Sequence, residues 1–287
     1  MILPDLELPS RINQCWKFSG IDHIDQCLDK KHFLSYPYDI TYNYNSRGFR
    51  DQEWPGTIQE LRDAIWCIGD SFTVGLGSPI EHIWPVRLSK ITNRRIINVS
   101  MDGASNEWIA RITENIVQTI APAQLVIMWS YTHRRENANT GLSNELRRIH
   151  SSNCTDYDDW INFLDCKKRV DLITNSVQFA IPFFRPEQPM SITDDWAAIR
   201  GPDWPVNSPT TLQELNSLPD WILHELKNLH GQLSRFQTIL PRQLPPVDLS
   251  VPNTVIPVEA QDLARDGHHF DLITAECVAT QAKTRLG

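Results

Sequence analysis

The sequence predicts an α/β fold, in which a parallel sheet of about five strands lies between two layers of helices. Three short apolar runs indicate it, at residues 64–68 (AIWCI), 95–99 (RIINV) and 125–128 (LVIM). Each run has the length and the Val and Ile content of a buried strand. The segments between the runs are long enough for crossover connections, and a strand, crossover, strand order is typical of parallel sheets.

The first predicted strand ends at Gly69 and Asp70, and Gly75 and Gly77 mark the end of a short turn or helix that follows it. The second strand is closed by residues 100–103 (SMDG). Glycine at these points allows the backbone to turn sharply after each strand. The polar residues that follow both strands are therefore expected at the same edge of the sheet.

A helix is predicted between the second and third strands. Ile109, Ile112 and Ile116 recur at spacings of three and four, which places them on one helical face. Ser105 precedes this pattern and is a residue type that caps helix N-termini. Pro122 lies just beyond the helix, where the chain enters the third strand.

The C-terminal half contains weaker signals. Residues 177–182 and 254–258 predict two more strands, and Pro257 favours an edge position for the second because proline cannot donate to a strand ladder. Leucine spacing predicts a helix over 220–240, and a proline-rich excursion is expected over 184–209. Residues 271–286 are expected to form a closing helix capped by Asp271.

The 287 residues are therefore expected to form a single domain. Residues 1–60 are interpreted as an N-terminal lead-in segment. Residues 134–253 are interpreted as an insertion or cap within the domain.

Composition excludes several functional classes. The net charge is −8, from 27 Lys and Arg against 35 Asp and Glu, which disfavours a nucleic-acid partner. The N-terminal residues lack a cationic, apolar leader and no stretch has the composition of a membrane span, so we expect a soluble cytoplasmic protein. Six cysteines without a CxxC pair suggest reduced thiols, and no His/Cys cluster has the spacing of a metal site.

Ser71 is the first candidate for catalysis. It lies in residues 69–75 (GDSFTVG), directly after the first predicted strand. A helix that starts at Ser71 would direct its backbone N–H groups and positive dipole end at an oxyanion formed when the hydroxyl attacks a carbonyl. Serine is a weak nucleophile and needs a nearby base. As an alternative, Asp70 and Ser71 merely cap a helix.

The base is predicted near the other end of the chain, in residues 265–270 (RDGHHF). His269 is the candidate acceptor of the Ser71 proton, and Asp266 is expected to orient the imidazole and stabilise its charged form. His268 is interpreted as a neighbour that fixes the loop. A metal site formed by His268, His269 and Asp271 is the weaker alternative.

These blocks resemble the SGNH/GDSL hydrolase family. Residues 69–71 (GDS) are similar to its first block, residues 266–269 (DGHH) to its last block, and residues 98–103 (NVSMDG) to its second block. Residues 45–50 (NSRGFR) look like a lead-in found in some members. The resemblance covers about residues 45–135 and 254–286. It implies a flavodoxin-like α/β/α sandwich, with Gly103 donating to the oxyanion hole beside the amide of Ser71.

The third block departs from the family pattern. Members normally carry GxND, whose Asn side chain donates to the oxyanion, whereas residues 129–134 here are WSYTHR. Ser130, Thr132 and His133 remain open as the substitute donor. Losing one such donor typically lowers turnover by about 10²–10³.

The resemblance implies a serine esterase, lipase, acetylhydrolase or acyltransferase that needs no cofactor. We expect a small-molecule or carbohydrate ester as substrate, with a short acyl group on a polar alcohol. Asp70, Trp129 and Arg134 are weaker substrate-binding candidates, and the adjacent Arg135 is either surface charge or part of the cleft. The alternatives are a carbohydrate O-acyltransferase and a non-catalytic binding module that retains the fold. The sequence predicts no oligomeric state.

Overall fold

A computed structural model describes residues 6–18, 40–137, 139, 142–150, 156–182, 253–266 and 269–287. The strands are β1 (Cys15–Phe18), β2 (Ile40–Asn43), β3 (Ile65–Gly69), β4 (Ile96–Ser100), β5 (Gln124–Trp129), β6 (Arg134–Glu136), β7 (Arg148–His150), β8 (Val177–Ala180) and β9 (Val255–Pro257). The α-helices are α1 (Ile58–Asp63), α2 (Ser71–Val74), α3 (Trp84–Thr92), α4 (Asn106–Thr119), α5 (Asn144–Arg147), α6 (Asp156–Asp171) and α7 (Leu272–Leu286).

Within the described residues, the central sheet has five strands in the order β4-β3-β5-β8-β9, and every pairing is parallel. This confirms the predicted sheet and the edge position of the strand that contains Pro257. Counted along the chain, the sheet strands follow the order 2-1-3-4-5, which is the flavodoxin-like, doubly wound arrangement. In such sheets ligands bind where the strand order reverses, at the carboxyl ends of the strands. Here the reversal lies between β3 and β5.

Helices cover both faces of this sheet. Helix α3 packs against α7, and α4 packs against α6. Strands β3 and β4 are buried along their whole length, which explains why their sequences are continuously apolar instead of alternating. The predicted three-layer α/β/α fold is confirmed. Two antiparallel pairs, β1 with β2 and β6 with β7, lie outside the central sheet and were not predicted.

The segment before the first central strand also belongs to the core. Leu6, Leu8 and Phe49 join the main cluster of buried apolar side chains. Asp51 accepts a hydrogen bond of 3.2 Å from the backbone N–H of Asn98 in the edge strand β4. It thereby covers part of an edge that would otherwise be free to pair with another chain.

The predicted insertion over 134–253 needs correction in part. Helix α6 and strand β8 fall within that range, yet one packs on α4 and the other pairs with β5 in the central sheet. Residues 156–182 are therefore part of the domain core. The predicted helix over 220–240 and the excursion over 184–209 lie outside the described residues.

The cap of the last helix differs from the prediction. Asp271 occupies the position before α7, but its side chain does not cap the helix and accepts hydrogen bonds from Ser78 and His82, at 2.8 and 2.9 Å. The carboxylate of Asp262 instead accepts from the backbone N–H groups of Ile273 and Thr274, at 2.7 and 3.0 Å. The last loop is thus tied to α7 by one aspartate and to the segment after α2 by another.

Two further observations concern the cysteines and the apolar character of the helices. Cys15, Cys67, Cys166 and Cys277 are free thiols, and Cys67 is buried in β3 as expected for a small apolar side chain. Within the part of the chain that the structure describes, no helix is long and apolar enough to cross a membrane.

Candidate active site

Ser71 lies at the carboxyl end of β3, as the first residue of the single-turn helix α2. The Asp70 carboxylate accepts a hydrogen bond of 3.0 Å from the backbone N–H of Phe72 and so caps this turn. Gly69 makes the tight turn possible, because a Cβ there would lie 2.1 Å from the Thr73 hydroxyl oxygen. The Ser71 side chain is 2% exposed.

A buried arginine holds the other end of this turn. The Arg50 guanidinium donates to the backbone carbonyls of Val74, Gly75 and Ser78, at 3.0, 2.6 and 2.8 Å. Carbonyls at a helix end have no partner within the helix, and a cation suits the negative end of the turn. Sequence reasoning missed this role, although Arg50 is the last residue of the lead-in segment over 45–50.

Asp266 and His269 are in direct contact. The Asp266 carboxylate lies 2.6 Å from His269 Nδ1 through one oxygen and accepts the His269 backbone N–H at 3.0 Å through the other. Both side chains are nearly buried, at 1% and 5% exposed. This contact leaves Nε2 as the imidazole nitrogen that can exchange a proton with a nucleophile. His268 lies outside the described residues.

The loop that carries this pair packs against the segment after Ser71. The Arg265 N–H donates to the Gly77 carbonyl at 3.0 Å, and the His269 ring centroid lies 4.5 Å from that of Phe72, the residue next to Ser71. Gly77 has a φ of +75°, and a Cβ there would lie 2.8 Å from the Asp266 carboxyl carbon. The fold therefore brings together two segments almost 200 residues apart in sequence.

The two amides predicted for the oxyanion hole lie on neighbouring strands of the sheet. The Ser71 amide follows β3, and Gly103 follows β4 with a φ of +72° and partial exposure. A left-handed φ is natural for glycine and strained for other residues. Thr132 is buried, and the His133 ring lies 5.4 Å from that of Tyr131. Thr132 and His133 remain the predicted candidates for the third donor.

Ser130 does not suit the role of third donor. Its hydroxyl donates to the Asp70 carboxylate at 2.6 Å. Its backbone is held by Asn106, whose side chain accepts from the Ser130 N–H at 2.8 Å and donates to the Ser130 carbonyl at 3.1 Å. The prediction of Ser130 as an oxyanion donor is thus corrected. Asn106, which sequence reasoning overlooked, fixes the end of β5.

Asp70 and Arg134 contact each other, in contrast to their prediction as substrate ligands. Asp70 is completely buried, and Arg134 Nη1 donates to its carboxylate at 3.0 Å. Burial raises the pKa of Asp70, while the Arg134 cation and the Ser130 hydroxyl oppose that rise. Arg135 pairs with the buried Asp159 and is not simple surface charge.

The structure also contradicts the prediction that Trp129 binds substrate. It is completely buried, its indole N–H donates to the Gln178 side chain at 2.9 Å, and its ring meets Phe163 edge-on at 5.6 Å. The sequence placed Trp129 at the end of a strand near the cleft. Its side chain packs in the core because β5 is covered on both faces.

No group of three or more His, Cys, Asp or Glu side chains that could hold a metal ion occurs among the described residues. At the end of β3, Ser71 is followed by Phe72, whose ring contacts the His269 imidazole, and it is preceded by Asp70, whose carboxylate is paired with the Arg134 guanidinium. Such a set can support nucleophilic and proton-transfer chemistry on an acyl group.

No family model matches the sequence, and no match to a curated protein is found. A similar solved structure is a member of the lipolytic protein G-D-S-L family from Veillonella parvula, 14% identical, with 77% of this chain and 96% of that chain covered and a TM-score of 0.36. Another is a carbohydrate esterase family 2 enzyme plus carbohydrate binding domain from Corynascus thermopiles (Myceliophthora fergusii), 14% identical, covering 82% of this chain and 69% of that chain, with a TM-score of 0.39. The name of the first structure is that of the family whose blocks the sequence resembles. At this degree of similarity, the activity of the present chain has to be inferred from its own residues.

Proposed function

We propose that this chain is a serine hydrolase of the SGNH/GDSL type that cleaves carboxylic esters. Ser71 is the nucleophile, His269 the general base and acid, and Asp266 the residue that orients the imidazole. The observation that carries the proposal is the 2.6 Å contact between Asp266 and His269 on a loop packed against the turn that begins at Ser71.

In the first half of the reaction, the Ser71 hydroxyl oxygen attacks the ester carbonyl carbon while His269 Nε2 takes the hydroxyl proton. The carbonyl oxygen becomes an oxyanion, and the amides of Ser71 and Gly103 donate to it. The tetrahedral intermediate then collapses, the bond to the alcohol breaks, and His269 returns the proton to the leaving alcohol oxygen. The acyl group is left on Ser71.

In the second half, water attacks the acyl carbonyl and gives its proton to His269. The second intermediate collapses, and the Ser71 oxygen recovers the proton as the free acid leaves. Asp266 stabilises the charged imidazole formed in each half, and its contact with Nδ1 keeps Nε2 directed towards the reacting atoms.

We infer a short acyl group on a polar or carbohydrate alcohol as the substrate. The support is the limited space at the nucleophile, because Ser71 is 2% exposed and the ring of its neighbour Phe72 lies 6.4 Å from the Tyr131 ring and 4.5 Å from the His269 ring. Such a site favours an acetyl over a long acyl chain.

A fluorophosphonate probe tests the nucleophile. We expect one adduct per folded chain by intact mass spectrometry, located on Ser71 by peptide mapping and absent from Ser71→Ala. A folded wild-type sample that takes up no probe would favour the non-catalytic binding module. A matched control is Ser78→Ala, which removes a nearby hydroxyl that is bound to Asp271.

A coupled assay separates hydrolysis from transfer. With an acetyl ester and water alone, we expect free acetate and alcohol in equal amounts. If an added sugar alcohol is acetylated faster than acetate is released, the chain is an acyltransferase instead. Undiminished turnover in His269→Ala would contradict the role given to the imidazole.

A further inference from the structure

A buried negative charge lies directly beside the proposed nucleophile. Asp70 precedes Ser71 in sequence, is completely buried, and must accept hydrogen bonds through its carboxylate to cap the turn at Phe72. The tetrahedral intermediate places a second negative charge near the Ser71 amide. Two like charges about 5 Å apart at an effective dielectric constant of about 20 repel each other strongly enough to slow the reaction on the order of 10²-fold.

Arg134 and Ser130 compensate the negative charge of Asp70. Arg134 Nη1 lies 3.0 Å from one Asp70 oxygen, and the same oxygen accepts the Ser130 hydroxyl at 2.6 Å. Arg134 Nη1 also lies 3.0 Å from the Ser130 hydroxyl oxygen, so the three side chains form a closed triangle of contacts. The guanidinium lies over the Tyr131 ring, 4.6 Å from its centroid, which fixes its approach.

We propose that Arg134 is a positioning residue that keeps Asp70 ionised, with its charge compensated, beside Ser71. The role of this residue in catalysis rests on the proposed function. Arg134 acts through Asp70, to which its guanidinium is bound. The polar residues that follow β5 thus serve the nucleophile's own turn, at the place where the family pattern would supply an oxyanion donor.

The charged and titratable groups around Asp70 support this assignment. Besides Arg134, the group that favours the ionised form of Asp70 through its charge is His269, and the Tyr131 phenol lies near both Asp70 and Asp266. His269 is neutral before it takes the Ser71 proton, and the charge that it gains with the oxyanion is already paired with Asp266 at 2.6 Å. Arg134 is then the permanent cation that faces the Asp70 carboxylate among these groups.

The pH profile of kcat/KM tests the proposal. In Arg134→Gln, burial without a cation raises the pKa of Asp70, so the carboxyl is protonated at low pH and ionised at high pH. We expect kcat/KM to fall on the order of 10- to 100-fold at alkaline pH, with a new descending limb as pH rises. In Asp70→Asn/Arg134→Gln, which has neither charge, the limb should vanish and alkaline activity should recover at least tenfold over Arg134→Gln.

Matched variants separate charge from packing. Arg134→Lys keeps the cation and should show no descending limb. Ser130→Ala removes a hydrogen bond without changing charge, and Arg135→Gln removes the neighbouring arginine, which pairs with Asp159. Neither should produce a new limb. If the double variant is no more active than Arg134→Gln, or if Ser130→Ala shows the same limb, Arg134 acts only through packing and the proposal is overturned.

A second measurement does not require turnover. Urea unfolding across the pH range reports the ionisation of Asp70 in each variant, because a raised native pKa makes stability fall as pH rises through it. We expect this titration in Arg134→Gln and its absence in Asp70→Asn/Arg134→Gln. If the wild type neither reacts with fluorophosphonate nor hydrolyses esters, the proposed function fails, while the unfolding test still decides whether Arg134 keeps Asp70 ionised. Equal pH dependence of unfolding in the two variants would refute that role of Arg134.

Discussion

Replacing Arg50 by methionine tests how the nucleophile's turn is held. The side chain is 1% exposed, and its guanidinium donates to three backbone carbonyls that follow Ser71, those of Val74, Gly75 and Ser78. Its plane also lies over the Tyr42 ring, 4.1 Å from the centroid. Methionine has a similar length and apolar stem but carries no donor. The change therefore removes the guanidinium donor from all three carbonyls, of which that of Gly75 keeps a hydrogen bond of 3.3 Å from the Ser78 N–H.

The expected loss follows from these contacts. Hydrogen bonds from a charged donor contribute about 1.5–3 kcal/mol each, but burying the guanidinium offsets part of their sum. Each buried carbonyl that is left without a donor typically costs about 1–3 kcal/mol. We expect Arg50→Met to lose about 3–5 kcal/mol of unfolding free energy, a large share of the 5–15 kcal/mol typical of a native domain.

Urea unfolding followed by circular dichroism measures this loss. Arg47→Met is the matched control, because Arg47 is in the same turn, pairs with Glu7 at 3.6 Å and lies over the Trp54 ring. Such a partly exposed pair contributes about 1 kcal/mol or less. If the two variants are equally stable, the three carbonyl contacts of Arg50 do not hold the turn and the reasoning is wrong.

Three further predictions follow from single contacts. Asp266→Asn should lower kcat by roughly 10²–10⁴-fold with little change in unfolding temperature, because His269 loses the carboxylate that stabilises its charged form. Steady-state kinetics measure kcat, and an unchanged kcat would contradict the role given to Asp266. Trp129→Phe should lower the free energy of urea unfolding by about 1–2 kcal/mol, because the indole N–H donates to the buried Gln178. KM should stay within twofold of the wild-type value. A large rise in KM would show that Trp129 binds substrate. Burial raises the pKa of Asp51 to about 6, so the contribution of Asp51 to stability is greatest at low pH. We expect this contribution to fall by about 1–3 kcal/mol as pH rises from about 4 to about 6. Asp51→Asn should flatten that part of the plot of unfolding free energy against pH, and an unchanged slope would disprove the assignment.

Local patterns in the sequence determined the sheet and the position of the nucleophile. Strands β3, β4 and β5 were predicted to within about two residues, because buried parallel strands are short, apolar runs bounded by turn residues. The cap of α4 by Ser105 was predicted for a similar reason, since a cap and its helix are neighbours in sequence. The contact of Asp266 with His269 also spans only three residues.

Tertiary structure alone decided which polar side chain meets which partner. Asp262 replaces Asp271 as the cap of α7, and Arg50 reaches carbonyls 24 to 28 residues away. Trp129 and Ser130 were assigned to the cleft from their place after a strand, yet one lies in the core and the other is bound to Asp70. Periodicity reports which face of an element is apolar, but a hydrogen bond forms wherever packing brings a donor and an acceptor together, and that geometry depends on the whole chain.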